Sequence, residues 1–297
     1  MLEVIKDFCE SEKKSGLLLL DAPTGSGKTF QVCKYIHEAV KRDKEADINR
    51  KFFFITTQKK NLPDTGELRR VFSEAGDDAL FRETVLRVDS NSDSVRHFLK
   101  RGADADTIPS EIRDTKEWQN LTKSEQMLSS LEGLIKSPED FKGAFNDAER
   151  AFRKMITGRL QAAFKTVDER LDALRRNKDW RWLGKMYPVA FMKEKHVICM
   201  SVDKFFLPLD TITGGSILLY NSEVIEGNTV FIDEVDATKE TLLKRIIDRT
   251  LEKSIDEIDL FSTIHSSLQT KQFSALLTAP SSKRAAKGYA GIPKVFA

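Results

Sequence analysis

Asp21-Ala22-Pro23-Thr24-Gly25-Ser26-Gly27-Lys28-Thr29 gathers glycines, hydroxyls and a lysine into one short stretch. Glycines at 25 and 27 allow the backbone to bend until its N–H groups converge, and converging N–H groups at the start of a helix bind phosphate. On that reading Thr24, Gly25, Ser26 and Gly27 form the cradle. Lys28 reaches the β- and γ-phosphates, and the Thr29 hydroxyl ligates Mg²⁺. Ala22 stands where the pattern usually has its first glycine. A second stretch complements the first. Val230-Phe231-Ile232 is an apolar run that ends in the adjacent carboxylates Asp233 and Glu234, with Asp236 following. At the carboxyl edge of a parallel sheet, Asp233 is placed to hold Mg²⁺ through water. Glu234 is placed to orient or deprotonate an attacking water. Asp236, on the same side of the turn, can relay nucleotide state. The chemistry expected is binding of a nucleoside triphosphate.

These residues need a sheet to hold them. Leu17-Leu18-Leu19-Leu20 predicts a short buried parallel strand before the glycine loop, and Phe30 to Val40 has the spacing of a helix after it. Residues 2–14 predict a helix with Leu2, Ile5, Phe8 and Cys9 on one face. Further strands are expected at Phe52–Thr56, Val85–Val88, His196–Met200, Ile217–Tyr220, Thr229–Ile232 and Ser274–Thr278. From about Ser90 to Lys195 the pattern is helical alone. Glu111–Ile135 predicts one helix, broken near Ser137-Pro138. Apolar residues from Phe145 to Leu174 then recur at steps of three to five, which predicts one long amphipathic helix or a helical hairpin arm. The expected fold class is α/β. Residues 1–90 and 196–297 form a nucleotide-binding lobe with a parallel sheet, and 91–195 form a helical insertion.

The net charge of the 297-residue chain is only +2, so no global field argues for a nucleic-acid partner. The charge is local instead. From Arg150 to Lys185 there are eleven Lys and Arg against four Asp and Glu, with Arg175 and Arg176 adjacent. Such an arm is either a phosphate-contacting surface or a solvated helix face. Trp180 and Trp182 can stack on bases or fill the core. Cys9, Cys33 and Cys199 are far apart, no CxxC pair exists, and the histidines have no metal-ligand spacing, so neither zinc nor a disulfide framework is expected. The N-terminus lacks the pattern of a signal peptide. Apolar runs fall well short of the ~20 residues that span a bilayer. The sequence predicts a cytoplasmic protein without a membrane partner.

The two motifs together resemble a known family. Ala22-Pro23-Thr24-Gly25-Ser26-Gly27-Lys28-Thr29 and Asp233-Glu234-Val235-Asp236 are similar to motifs I and II of superfamily 2 helicases and translocases. The first has the A-x-T-G-x-G-K-T form and the second is the DExD box. Phe54-Ile55-Thr56-Thr57-Gln58-Lys59-Lys60-Asn61-Leu62 resembles motif Ia, which implies that Thr56, Thr57, Gln58 and Lys59 touch a nucleic-acid backbone. Val197 to Phe206 resembles the segment before the DExD strand in damage-inducible and excision-repair-type DNA helicases and in type III restriction subunits. Those DNA helicases also carry a helical arch before motif II. Their iron–sulfur cluster needs four cysteines there, and residues 91–195 contain none, so no cluster is expected. Leu277-Thr278-Ala279-Pro280-Ser281-Ser282 is a weak match to motif III, and no glutamine motif precedes the phosphate loop.

The resemblance implies a first RecA-like lobe that binds ATP and Mg²⁺ and works on nucleic acid, DNA that is single-stranded or at a junction. Lys28, Asp233 and Glu234 are its expected catalytic residues. The stretch after Asp236 is too short for a second lobe, so the arginine finger is expected from another lobe or chain. Two other classes remain open: a nucleotide-switched protein-interaction module, and a P-loop phosphotransferase in which Asp233 and Glu234 serve a small acceptor.

Overall fold

The computed structural model describes residues 1–11, 16–21, 23, 25–102, 107–131, 139–219 and 225–250. The chain divides into two compact units, 1–239 and 240–297, and the sheet, the glycine loop and the helices between the strands belong to the first. Ala22, Thr24, the break at Ser137-Pro138, the strand expected at Ser274–Thr278 and the motif III candidate lie outside the described residues.

The fold is mixed α/β around a four-stranded parallel sheet. Its strands are β1 (Phe52–Thr56), β2 (Val85–Val88), β3 (Val197–Ser201) and β6 (Thr229–Ile232), in the order β2-β3-β1-β6. The two central strands, β1 and β3, are buried along their whole length, as expected of parallel strands covered on both faces. Side chains alternate between two cores. Phe52 and Phe54 of β1 and Val197 and Cys199 of β3 face a core that includes Ile5, Val32, Ile36, Leu68 and Phe72. These come from α1 (Leu2–Cys9), α2 (Lys28–Glu45) and α3 (Glu67–Glu74). Phe53, Ile55, Ile198 and Met200 face the other side, against Val189, Met192 and Phe205. Phe205 lies on α11 (Val202–Phe206), and α4 (Asp78–Thr84) leads into β2.

Between β2 and β3 the described chain is helical throughout. It comprises α5 (Asn91–Arg101), α6 (Ser110–Arg113), α7 (Lys116–Leu131), α8 (Glu139–Ala163), α9 (Val167–Arg176) and α10 (Arg181–Met186). These helices share a third core in which the rings of Trp118, Phe152 and Trp182 meet. Within it Glu149 is buried. It accepts hydrogen bonds from the Tyr187 hydroxyl at 3.1 Å and from Arg153 at 3.0 Å, and burial pushes its pKa up despite them. Arg153 also reaches Asp210 on β4 (Leu209–Asp210) at 3.1 Å, so this helical region is pinned to the chain beyond β3 within the same compact unit.

Several expectations from sequence are corrected, and two that were left open, the form of the Phe145–Leu174 stripe and the place of Trp182, are decided. Leu17–Leu20 joins no ladder. Leu18 and Leu20 are half-buried, and Leu17 and Leu19 are 82% and 70% exposed. Only one face of the run meets the core, through Leu20, so apolarity alone does not draw it into the sheet. Of the strand expected at Ile217–Tyr220, Tyr220 lies outside the described residues, and residues 217–219 join no strand of the main sheet. Ser216–Ile217 (β5) instead pairs antiparallel with β4, because Gly214 and Gly215 take φ of 114° and 81° and fold the chain back. The helix expected over Glu111–Ile135 is split into α6 and α7 at Thr115. Its hydroxyl donates to the Ile112 carbonyl and accepts from the Trp118 N–H, ending one helix and starting the next. The Phe145–Leu174 stripe divides into α8 and α9. Thr166 and Glu169 form a reciprocal capping box that starts α9, which leaves Val167 48% exposed. Trp182 is 1% exposed and donates to the Asp179 carbonyl, so it fills the core and does not stack on bases. No helix of the described residues is long and apolar enough to cross a membrane.

The amino end of β1 is held by a charged pair under the sheet. Asp43, at the end of α2, is almost completely buried and accepts two bonds of 2.9 Å from Arg50, whose guanidinium lies over the Phe52 ring. Removing the carboxylate leaves a half-buried guanidinium unpaired. Asp43→Ala is expected to lower stability by about 2 kcal/mol, measured by urea unfolding; a loss below about 0.5 kcal/mol, the size of an ordinary surface substitution, would show that water replaces the pair.

Candidate active site

All strands of the main sheet run the same way, so their carboxyl ends share one edge, and the residues just past them form a common surface. β6 ends at Ile232, and the Asp233 N–H continues the ladder by donating to the Ile55 carbonyl at 2.9 Å. β1 ends at Thr56, and the polar segment 57–61 leaves it beside that point. Chain direction and register therefore bring two distant acidic and polar stretches together.

The glycine loop supplies the third part. Gly25 and Gly27 have φ of 81° and 78°, in the left-handed region, and a Cβ built on either would meet nothing. Glycine is required at these positions by backbone conformation rather than by space. Ser26 N–H donates to the Pro23 carbonyl at 3.2 Å, closing a turn that hands over directly to α2 at Lys28. The Lys28 ammonium lies 3.4 Å from the same carbonyl. Gly25, Ser26 and Gly27 are exposed, so the loop is open to a ligand.

The Thr29 hydroxyl donates to the Asp233 carboxylate at 3.4 Å across 204 residues of sequence. A hydroxyl and a carboxylate meeting beside a left-handed glycine loop are hard oxygen donors, the set that Mg²⁺ accepts when water and phosphate complete its shell. The residues present therefore fit that ion. Among the described residues no group of three or more His, Cys, Asp or Glu is placed to hold a metal by itself.

Glu234 sits at φ 54°, a left-handed conformation for a non-glycine residue. Its carboxylate accepts from the Thr57 hydroxyl at 2.5 Å and from the Asn61 amide at 3.0 Å. Asp236 is exposed in the first turn of α12 (Val235–Thr250). Of the residues expected to touch a nucleic-acid backbone, Thr56 is fully buried, and among the described residues its hydroxyl has no hydrogen-bond partner. Thr57 is half-buried, and Gln58 and Lys59 are exposed. Lys59 forms an ion pair with Asp93 in the first turn of α5. Burial works against the Asp93 carboxylate, yet the bonds from Lys59 and Ser90 outweigh it and hold its pKa below the usual range. Lys204 lies nearby, its pKa lowered by burial and then by Lys59.

Arg175 is bound to Glu194 and stacks on Phe191, whereas Arg176 pairs, among the described residues, along its own helix with Asp172 and has an 80% exposed side chain. The residues that sequence reading did not single out are Asn61 and Asp93. Asn61 closes the short 3-10 turn Lys59–Asn61 and Asp93 lies in the first turn of α5, and nothing in their spacing distinguishes them from ordinary surface residues. No family profile and no curated protein matches the chain.

Gly27→Ala isolates the conformational demand of the loop, because the new methyl has room. It is expected to cost about 1 kcal/mol, read from the shift in urea midpoint. An unchanged midpoint would show that the left-handed turn is not held in the free protein.

Proposed function

We propose that this chain is the RecA-like first motor lobe of a superfamily 2 helicase or translocase, hydrolysing ATP in step with its hold on a DNA strand. The observation that carries the reading is the meeting of Thr29 with Asp233, with Glu234 next in the chain and the phosphate-type loop directly before Thr29. A parallel sheet whose carboxyl edge brings two carboxylates up to the hydroxyl at the start of α2, directly after the glycine loop, is an arrangement suited to phosphoryl transfer to water.

In this reading the N–H groups of residues 25–27 and the Lys28 ammonium bind the β- and γ-phosphates. Thr29 and Asp233 would hold Mg²⁺, and the ion, when bound, would supply positive charge opposite the phosphate oxygens. Glu234 orients the attacking water and accepts its proton. Thr57, Gln58 and Lys59 present donors to a phosphodiester backbone, and a second RecA-like lobe, from the same protein or another chain, supplies the arginine finger. The ion pairs of Arg153 and Arg175 favour a structural share for the basic arm. They lend weight to a second reading, a nucleotide-switched module whose helical region binds protein.

Lys28→Ala is expected to abolish ATP binding, and unchanged affinity in a fluorescent-nucleotide titration would remove the phosphate-loop assignment. Glu234→Gln is expected to keep ATP affinity while turnover falls at least a hundredfold, about 3 kcal/mol in barrier; retained turnover would assign the base elsewhere. Arg176→Glu, on an exposed face, is expected to weaken binding of single-stranded DNA severalfold and to flatten its salt dependence by about two phosphate contacts. Unaltered binding would leave the arm to the protein-binding reading.

A further inference from the structure

The loop after β1 engages both oxygens of the Glu234 carboxylate. Thr57 donates to Oε2 and Asn61 donates to Oε1. The adjacent Asp233 is engaged differently, receiving Thr29 from the start of α2. Neighbouring carboxylates thus serve different parts of the fold, one the glycine loop and one the polar loop. Two donors on a single loop set the plane of the Glu234 carboxylate, so it cannot turn elsewhere without losing both bonds. Its left-handed backbone is of the kind that persists only where the surroundings hold it.

The same loop is tied on its other side. Lys59 pairs with Asp93, which also accepts the Ser90 hydroxyl at the start of α5. Residues 57–61 therefore bridge the end of β6 and the first helix after β2. Lys59 and Lys60 are exposed, so the loop is cationic, with hydroxyl and amide donors already aimed at an anion. That anion, in the free protein, is Glu234.

We propose that Thr57 and Asn61 form a latch that holds Glu234 away from the attacking water, and that a phosphodiester strand docking on residues 57–61 releases it by taking the same two donors. The inference rests on the motor-lobe reading and adds its regulation: strand binding switches on hydrolysis by exchanging one anion for another. Thr57 and Asn61 are positioning residues. Because linkage is reciprocal, the strand must displace Glu234 in order to bind, so removing Glu234 strengthens strand binding even without nucleotide.

The test is a cycle of strand affinities, measured by anisotropy of a short fluorescent oligothymidylate without nucleotide. Glu234→Ala is expected to tighten binding about fivefold or more, well beyond Asp233→Asn, which removes a neighbouring charge but leaves the latch. In a Thr57→Val, Asn61→Ala background the advantage of Glu234→Ala over Asp233→Asn is expected to vanish. Thr57→Val alone supplies the same comparison if the double variant melts early. In ATPase assays the latch variants are expected to raise strand-free turnover with KM for ATP unchanged. A Glu234→Ala effect no larger than that of Asp233→Asn, or undiminished in the latch background, overturns the latch and leaves the motor-lobe reading intact. A wild-type chain that binds ATP but not oligothymidylate also overturns it, and one that binds neither overturns the motor-lobe reading itself.

Discussion

The parallel register of β1 against β6 is the constraint on which the site depends. Phe52 to Ile55 pair with Thr229 to Ile232, and the Asp233 N–H extends the ladder to Ile55. With both strands running the same way, the residues that leave them emerge side by side at one edge. Asp233 and Glu234 come from one strand and Thr57 from the other. A register slip of one residue would turn Glu234 to the opposite face and part it from Thr57, since side chains alternate along a strand. The two cores packed on either face of β1 resist that slip, because Phe52 and Phe54 would exchange places with Phe53 and Ile55.

Packing and polarity are divided cleanly along these strands. The body of β1 is apolar and fully buried and that of β6 is half-buried, and the carboxyl ends of both pass at once into hydroxyls, amides and charges. Thr56 marks the boundary, buried with its hydroxyl unpaired among the described residues, while Thr57 one position later makes a 2.5 Å bond to Glu234. A buried rigid strand feeding an exposed polar loop can hold donors in place while leaving them open to exchange. That combination suits the exchange of partners proposed for this loop.

Charge follows a different logic in the helical region. The basic excess that stands out between Arg150 and Lys185 is partly consumed within the fold: Arg153 by Glu149 and Asp210, Arg175 by Glu194, and Arg170 by the Thr213 carbonyl. Composition counts charges, whereas availability depends on which acids and carbonyls the fold brings alongside. Arg176 is the contrasting case, with its side chain largely in solvent.

Local chemistry was legible in the sequence because it depends on neighbours in the chain. The backbone does bend at Gly25 and Gly27, a helix does follow the loop, beginning two residues before the expected Phe30, and β1, β2 and β6 lie where their β-branched and aromatic runs predict. The helical character of the stretch between β2 and β3 was equally plain from its period. What depended on distant residues was not legible. An apolar run such as Leu17–Leu20 carries no record of whether a strand edge will receive it, and Trp182 carries none of whether Trp118 and Phe152 will enclose it. The bonds from Thr57 and Asn61 to Glu234 and from Thr29 to Asp233 join residues far apart in the chain, and only the parallel sheet decided that they meet. Sequence determined which hydroxyls, carboxylates, amides and amines this protein has; tertiary structure decided which of them hold one another, because strand order and register are settled by the packing of the whole core.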